Sequence, residues 1–319
     1  MSKILQYELW QECNNFCSYC TLGHNIFKTP DKMKLEAINT AIRELQYLVK
    51  GEVSTLGFIG GEFFQGQLHN PEVKNAFWSL IDLSNCLLNS EVIENLWINA
   101  TLTLGTQKDL YDTLDRIDRT DKVWILTSYD NIGRFHYDDM LKNWEKHIAY
   151  IHNRYPDIKI NTTSILTGSF IKAYLNDTID IQQFQKKYDT KLFLKTPVKP
   201  DDKTNMTKEE INNEMGYDFF PTRINFMKFL LKFKEKEGLE EYQNLFSNDL
   251  KAEELHKNFN DEKLRNVTFH RPSDFKEELD CDKDLKTIEI LPCGHSNVYQ
   301  CYADSNECVI CDKKMVLGL

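Results

Sequence analysis

The chain has 319 residues, enough for one large domain or two small ones, and its 41% hydrophobic and 28% charged residues are typical of globular proteins. Its net charge of −10 argues against extended nucleic acid as a partner, because phosphate binding needs a concentrated basic surface. No apolar run is long enough to cross a bilayer, and the first residues contain no signal-peptide core. We therefore expect a cytoplasmic protein without a membrane segment.

Strand and helix patterns alternate over the first two hundred residues. Apolar runs predict six strands, at residues 4–9, 53–59, 95–104, 123–128, 158–165 and 192–195. Helical periodicity predicts helices between them, at residues 30–49, 70–83, 108–117, 137–153 and 179–187. This order predicts an α/β fold of parallel β/α units. Six units that close incompletely would form a partial (β/α)6 barrel, with the active site in the loops that follow the strands.

The pattern changes after residue 197. A polar, turn-rich stretch at 199–203 is followed by Thr207 and Glu210, which have the spacing of a capping box. Further helices are predicted at residues 223–237 and 239–245. We expect an apolar stripe on the first of these helices to pack against the barrel: Phe226, Phe229, Leu230 and Phe233.

Three of the nine cysteines lie within eight residues, directly after the first strand. Cys13, Cys17 and Cys20 have the spacing C-x3-C-x2-C, whereas Cys86 stands alone and is expected to be a small buried hydrophobic residue. Clustered cysteines in a reducing compartment indicate metal binding or catalysis. Three thiolates on one short loop can ligate three irons of a cubane cluster and leave the fourth iron open. The alternatives are three unrelated buried cysteines or a zinc knuckle, for which His24 is the only nearby fourth ligand.

This stretch resembles the signature of the radical SAM superfamily. The resemblance includes the three cysteines, Asn14 after the first of them, and an aromatic residue, Tyr19, before the third. It implies a [4Fe–4S] cluster whose open iron binds S-adenosylmethionine, and it implies that Tyr19 packs near the adenine of this cofactor. It also implies the same partial barrel over about residues 4–200.

The second strand ends in Gly60, Gly61 and Glu62. Glycines after a strand allow the backbone to approach a ligand closely. In the radical SAM family, a glycine-rich segment at this place binds the amino group of the cofactor through backbone carbonyls. The resemblance therefore implies that these three residues contribute to cofactor binding.

The fourth strand ends in a second polar segment. Many peptide-modifying members of the family have Ser-x-Asp-Gly here, which Ser128 and Asp130 match, with Asn131 in place of the glycine. Asn also tolerates a left-handed turn. The resemblance implies that Ser128 and Asp130 bind the cofactor, and that Arg134 pairs with its carboxylate unless it is a solvated surface residue. Alternation along strands three and five predicts four more polar residues in the barrel mouth: Asn99, Thr101, Asn161 and Thr163.

Five cysteines lie near the end of the chain, around a hairpin predicted at residues 287–291 and 297–300. This part resembles the SPASM or twitch extension of radical SAM enzymes, which implies an auxiliary cluster. One [4Fe–4S] cluster would take four ligands: Cys281, Cys301, Cys308 and Cys311. Cys293 could replace one of them. A structural zinc site is the alternative, either with Cys293 and the last three of these cysteines or with a set that includes His295.

The resemblance implies three parts: a barrel at 1–200, a helical linker or substrate-side segment at 201–280, and a cysteine-rich metal module at 281–319. It implies an enzyme that reductively cleaves S-adenosylmethionine to a 5′-deoxyadenosyl radical and abstracts hydrogen from a substrate. The expected substrate is a peptide or protein side chain, and the alternative is a nucleoside or another small metabolite. An electron donor such as flavodoxin or ferredoxin is expected, and no catalytic side chain is assigned. A non-catalytic zinc-binding interaction protein is the third hypothesis.

Overall fold

The protein has an α/β fold built on one large sheet. The computed structural model describes residues 4–15, 17–20, 29–130, 132–195, 197, 200, 203, 205–238, 241, 287–290 and 296–299. The strands are β1 Ile4–Trp10, β2 Thr55–Gly60, β3 Asn95–Asn99, β4 Val123–Ser128, β5 Lys159–Ile165, β6 Lys191–Lys195, β7 Thr287–Ile290 and β8 Ser296–Tyr299. The α-helices are α1 Asp31–Leu45, α2 Pro71–Asn89, α3 Lys108–Leu114, α4 Asp138–Arg154, α5 Gly168–Leu175, α6 Ile181–Tyr188, α7 Lys208–Met215 and α8 Arg223–Glu237.

The strand order in the sheet is β6-β5-β4-β3-β2-β1-β7-β8. Strands β1 to β6 are parallel and adjacent in chain order, as the alternating pattern predicts. Strand β7 adds in parallel to the free edge of β1, and β8 pairs with it antiparallel. Because parallel strands end at the same edge, the loops after β1, β2 and β4 lie along one edge of the sheet.

One face of the sheet packs against helices and the other is half-exposed. In β3, β4 and β5 buried residues alternate with partly exposed ones, as expected for strands whose two faces differ. The buried face contributes Phe58, Ile98 and Ile125 to the main core, which includes Phe77 of α2 and Trp144 of α4. We call the opposite side, which carries Trp97, Leu126 and Thr163, the open face.

Helix α8 packs as its sequence pattern predicts. Its four stripe residues are buried in a second core with Ile171 of α5 and Leu194 of β6: Phe226, Phe229, Leu230 and Phe233. The capping box that begins α7 also forms. The Thr207 hydroxyl accepts from the backbone N–H of Glu210, and the Glu210 carboxylate accepts from the backbone N–H of Thr207. The prediction of core packing for α8 is confirmed.

Several boundaries differ from the predicted ones. Strand β3 ends at Asn99, and it cannot extend to residue 104 as predicted because Leu102 has a φ of 60°, which no strand accommodates. Helix α5 was not predicted; Thr167 caps it by accepting from the Phe170 backbone. Cys86 is exposed on α2, so the expectation that it is buried was wrong.

The predicted C-terminal hairpin forms as β7 and β8, close to the expected bounds. The helix predicted at 239–245 and all five C-terminal cysteines lie outside the described residues, apart from residue 241. In the part of the chain that the structure describes, no helix is both long and apolar enough to cross a membrane.

Candidate functional site

The loop that carries Cys13, Cys17 and Cys20, here called the cysteine loop, begins where β1 ends at Trp10. All three cysteines are half-buried and none forms a disulfide. A tight turn closes the last part of the loop, where the Cys20 backbone N–H donates to the Cys17 carbonyl at 3.0 Å. The loop therefore lies at the carboxyl edge of the sheet, where the sequence places it.

The end of β2 contacts the start of the cysteine loop through backbone alone. Gly61 N–H donates to the Trp10 carbonyl at 3.0 Å, and Glu62 N–H donates to the Glu12 carbonyl at 2.9 Å. A Cβ on Gly61 would lie 2.4 Å from the Gln11 and Glu12 oxygens, and a Cβ on Gly60 would lie 2.4 Å from the Trp10 oxygen. Both glycines are thus required by the close approach of two segments of this chain.

The Glu62 side chain joins the end of β2 to the end of β3. Its carboxylate accepts from the backbone N–H groups of Phe63, Phe64 and Thr101 at 2.6–2.9 Å, and its own carbonyl accepts from Trp10 Nε1 at 2.7 Å. The side chain is buried, and this burial raises the pKa of Glu62 although the hydrogen bonds oppose the shift. Every polar group of Glu62 therefore has a hydrogen-bond partner in the protein. A cofactor that contacts Glu62 would bind in addition to these hydrogen bonds.

Gln65 is a site residue that the sequence did not reveal. Its side-chain oxygen accepts from the Asn14 backbone at 3.0 Å, and its carbonyl accepts from the Asn14 side chain at 3.0 Å. Its Nε2 reaches Asn15, Thr101 and Thr103 at 2.6–3.1 Å. In the sequence, the only indication was that the polar residues Gln65 and Gln67 follow the apolar Phe63–Phe64 pair. Gln65 links the cysteine loop to the ends of β2 and β3.

A buried ion pair supports the first part of the loop. Lys34 of α1 is fully buried, and its Nζ lies 2.7 Å from a carboxylate oxygen of Glu12. The same ammonium donates to the Gln67 carbonyl at 3.3 Å and lies 5.5 Å from the centre of the Trp10 ring. Because Glu12 directly precedes Cys13, this pair fixes the backbone at the first cysteine.

Tyr19, Asp130 and Arg134, predicted separately, form one buried cluster. The Tyr19 hydroxyl donates to Asp130 Oδ2, and Arg134 Nε donates to the same oxygen at 3.2 Å and to the Tyr19 oxygen at 2.9 Å. The other Asp130 oxygen accepts from the Ser164 hydroxyl and the Ile165 backbone at 3.1 and 2.7 Å. Arg134 is only 12% exposed, so it is not a solvated surface residue.

The charges of this cluster act on the cysteine thiols. Burial raises the pKa of Cys13 to about 12 and raises that of Cys17, while the Arg134 guanidinium opposes both shifts. Burial alone would lower the pKa of Arg134, but the charges of Cys17, Tyr19 and Asp130 hold it well above the usual value. The arrangement therefore keeps a permanent cation beside a thiol that must lose its proton to bind a metal.

The segment 217–220 covers the outer side of the cysteine loop. The Tyr217 hydroxyl lies 2.9 Å from Ser18 Oγ, and the Phe219 ring stacks on Tyr19 with an interplanar angle of 7°. Ser18 N–H also donates to the Gly133 carbonyl at 2.9 Å, and a Cβ on Gly133 would lie 2.6 Å from Ser18 Oγ and from the Tyr217 oxygen. The chain after β6 is therefore part of the site.

Ser128 does not join the Tyr19 cluster, because its hydroxyl lies 2.8 Å from that of Thr163 on the neighbouring strand. Thr163 and Asn161 line an open cavity of about 410 Å³ on the open face, together with Trp97 and Trp124. Asn161 and Thr163 therefore lie on the same face of β5, as the alternation along this strand predicts. A cavity of this size suits a small molecule or one side chain of a larger substrate.

Three free thiols on one short loop are, by their chemistry, a donor set suited to an iron–sulfur cluster. Among the described residues, no three His, Cys, Asp or Glu side chains are close enough to hold one metal ion. In a cubane each thiolate ligates a different iron, so cluster ligands lie farther apart than three ligands of a single ion. Hydrogen bonds from the segment that follows β2 hold the loop at Glu12 and Asn14, and the positive charge of Arg134 favours the thiolate forms of Cys13 and Cys17 by lowering their pKa values.

No protein-family model matches the chain, and no curated protein is significantly similar to it.

Proposed function

We propose that the chain is a radical S-adenosylmethionine enzyme. The observation that carries this proposal is the meeting, at one edge of a parallel sheet, of the cysteine loop with the ends of β2 and β4. Gly61 approaches the loop through its backbone, and Asp130 and Arg134 contact it through Tyr19. Residues from separate parts of the sequence signature therefore form one site.

We also propose that β1 to β6 form a partial (β/α)6 barrel. Six parallel strands in chain order support it, as does an open face that is only half-exposed. In such a fold the open face becomes the interior, and the cavity lined by Trp97, Trp124, Asn161 and Thr163 is the place for substrate.

The residues of the site have separate roles in this proposal. Cys13, Cys17 and Cys20 would hold a [4Fe–4S] cluster, and backbone carbonyls at Gly60 and Gly61 would bind the amino group of the cofactor. When bound, the cluster and S-adenosylmethionine supply a 5′-deoxyadenosyl radical that abstracts hydrogen from substrate. The protein holds the target C–H group in place and excludes water. The segment 217–220 contributes to this exclusion by covering the loop.

We propose a peptide or protein side chain as substrate, with a nucleoside or small metabolite as the alternative. An electron donor such as flavodoxin or ferredoxin would serve the cluster, and the clustered cysteines suit the reducing cytoplasm. The C-terminal cysteines would hold a second [4Fe–4S] cluster, or zinc.

Metal analysis of anaerobically reconstituted protein tests the proposal. We expect brown protein with iron and sulfide for more than one [4Fe–4S] cluster, and one remaining cluster after Cys13, Cys17 and Cys20 are all replaced by alanine. If the triple variant instead retains only stoichiometric zinc, the proposal of a second cluster is wrong and the C-terminal cysteines bind zinc. If the wild-type protein and the triple variant contain equal iron, the cysteine loop holds no cluster and the proposed function fails.

A further inference from the structure

We propose that Arg134 and Asp130 set the reduction potential of the cluster on the cysteine loop, and that their charges act with opposite sign. This inference rests on the proposed function. It concerns two side chains that form a buried ion pair, Nε to Oδ2 at 3.2 Å, with 12% and 5% of their side chains exposed.

The pair contacts the cysteine loop through Tyr19. Arg134 Nε donates to the Tyr19 oxygen at 2.9 Å, its Cζ lies 5.6 Å from the centre of the Tyr19 ring, and the Tyr19 hydroxyl donates to Asp130. Tyr19 stands between Cys17 and Cys20 in the sequence. The two charges are therefore held next to the part of the loop that carries two of the three thiols.

Hydrogen bonds other than those with Tyr19 hold the segments that carry the two charges. Asp130 Oδ1 accepts from the Ser164 hydroxyl and from the Ile165 backbone, so the carboxylate is held by the end of β5. Gly133, one residue before Arg134, bonds to the Ser18 backbone. Because both residues are held on two sides, a change of charge at either one does not simply relax into solvent.

The sign of each effect follows from electrostatics. A cluster gains one negative charge when the titrant supplies one electron, so a nearby cation favours the reduced form and a nearby anion disfavours it. Solvent screens the interaction little, because both side chains are buried. Arg134→Gln leaves the Asp130 charge uncompensated and should make reduction harder. Asp130→Asn keeps an oxygen that can accept from Ile165, leaves the Arg134 charge uncompensated, and should make reduction easier.

A potentiometric titration of the reconstituted full-length protein, followed by EPR of the reduced cluster, tests the inference. We expect Arg134→Gln to lower the equilibrium constant for reduction about tenfold, or about 59 mV, and Asp130→Asn to raise it by a similar factor. Arg134→Lys keeps the charge but not the guanidinium geometry, and should stay within about threefold of wild type. The triple variant that lacks Cys13, Cys17 and Cys20 identifies any EPR signal of a second cluster.

The inference is overturned if Arg134→Gln and Asp130→Asn shift the potential in the same direction, or if Arg134→Lys behaves like Arg134→Gln. Should Asp130→Asn fail to fold, the comparison of the two Arg134 variants still decides between charge and geometry. Wild-type protein whose cysteine loop takes up no iron would overturn the proposed function itself. An unshifted potential in iron-replete variants would overturn only this inference.

Discussion

Replacement of Gly61 by alanine tests whether the end of β2 positions the cysteine loop. The new Cβ would lie 2.4 Å from the Gln11 and Glu12 carbonyl oxygens, so the two segments must separate by roughly 1 Å to reach ordinary contact. That shift also weakens the backbone bonds of Gly61 and Glu62 to the end of β1 and the start of the loop. Overpacking and two weakened hydrogen bonds together should cost about 2–4 kcal/mol of unfolding free energy.

Gly57→Ala is the matched control, because Gly57 lies on the same strand. Its Cβ would meet Trp97 at 3.5 Å and Gln6 at 3.6 Å, which is ordinary van der Waals contact. Urea unfolding of both apo variants measures the loss of stability. Iron per chain after anaerobic reconstitution measures how much cluster the cysteine loop still binds. We expect Gly61→Ala to be less stable than wild type and to contain severalfold less iron. Gly57→Ala should resemble wild type in both measurements. Full iron and wild-type stability in Gly61→Ala would refute this account of the loop.

Three further predictions concern the surroundings of the loop. Lys34→Met should lower the unfolding free energy by about 3 kcal/mol in urea denaturation, because it leaves the Glu12 carboxylate largely buried and unpaired. Gly133→Ala should reduce iron uptake far more than Gly51→Ala, which has the same φ of 91° but no atom near its Cβ. Alkylation of Cys13 in the apo-protein, followed by peptide mapping, should accelerate about tenfold per pH unit from pH 8 to 11, because burial raises its pKa to about 12.

Each of these has a clear contrary result. Unchanged stability of Lys34→Met would mean that the ion pair contributes nothing net to folding. Equal iron uptake by the two glycine variants would mean that backbone strain, and not contact with Ser18 and Tyr217, governs the effect. A Cys13 alkylation rate that reaches its plateau near pH 9 would show that the thiol is not buried as described.

The sequence predicted the six parallel strands because apolar runs and helical periods alternate regularly over two hundred residues. It also predicted the capping box of α7 and the core stripe of α8, since both are local patterns. Helix α5 was missed because it begins at Gly168, which weakens a helical pattern, and its cap at Thr167 is a weak signal alone. Most of the fold was therefore predictable from local sequence patterns.

The site was predictable residue by residue but not as an arrangement. Tyr19, Asp130 and Arg134 were each named from the sequence, yet 111 residues separate Tyr19 from its partner Asp130, and no local pattern encodes that contact. The contact of Tyr217 with Ser18 spans 199 residues and was not anticipated. The close approach of the glycine pair to the chain's own residues at 10–12 was not anticipated either.

The most direct test of the proposed function is the anaerobic formation of 5′-deoxyadenosine from S-adenosylmethionine under strong reductant, measured by liquid chromatography and mass spectrometry. The reconstituted wild-type protein should form it, and Cys17→Ala should not, because loss of this thiolate leaves one iron of the cluster without its protein ligand. Product from Cys17→Ala at the wild-type rate would contradict the account. So would the absence of product from wild-type protein whose cysteine loop holds its full complement of iron.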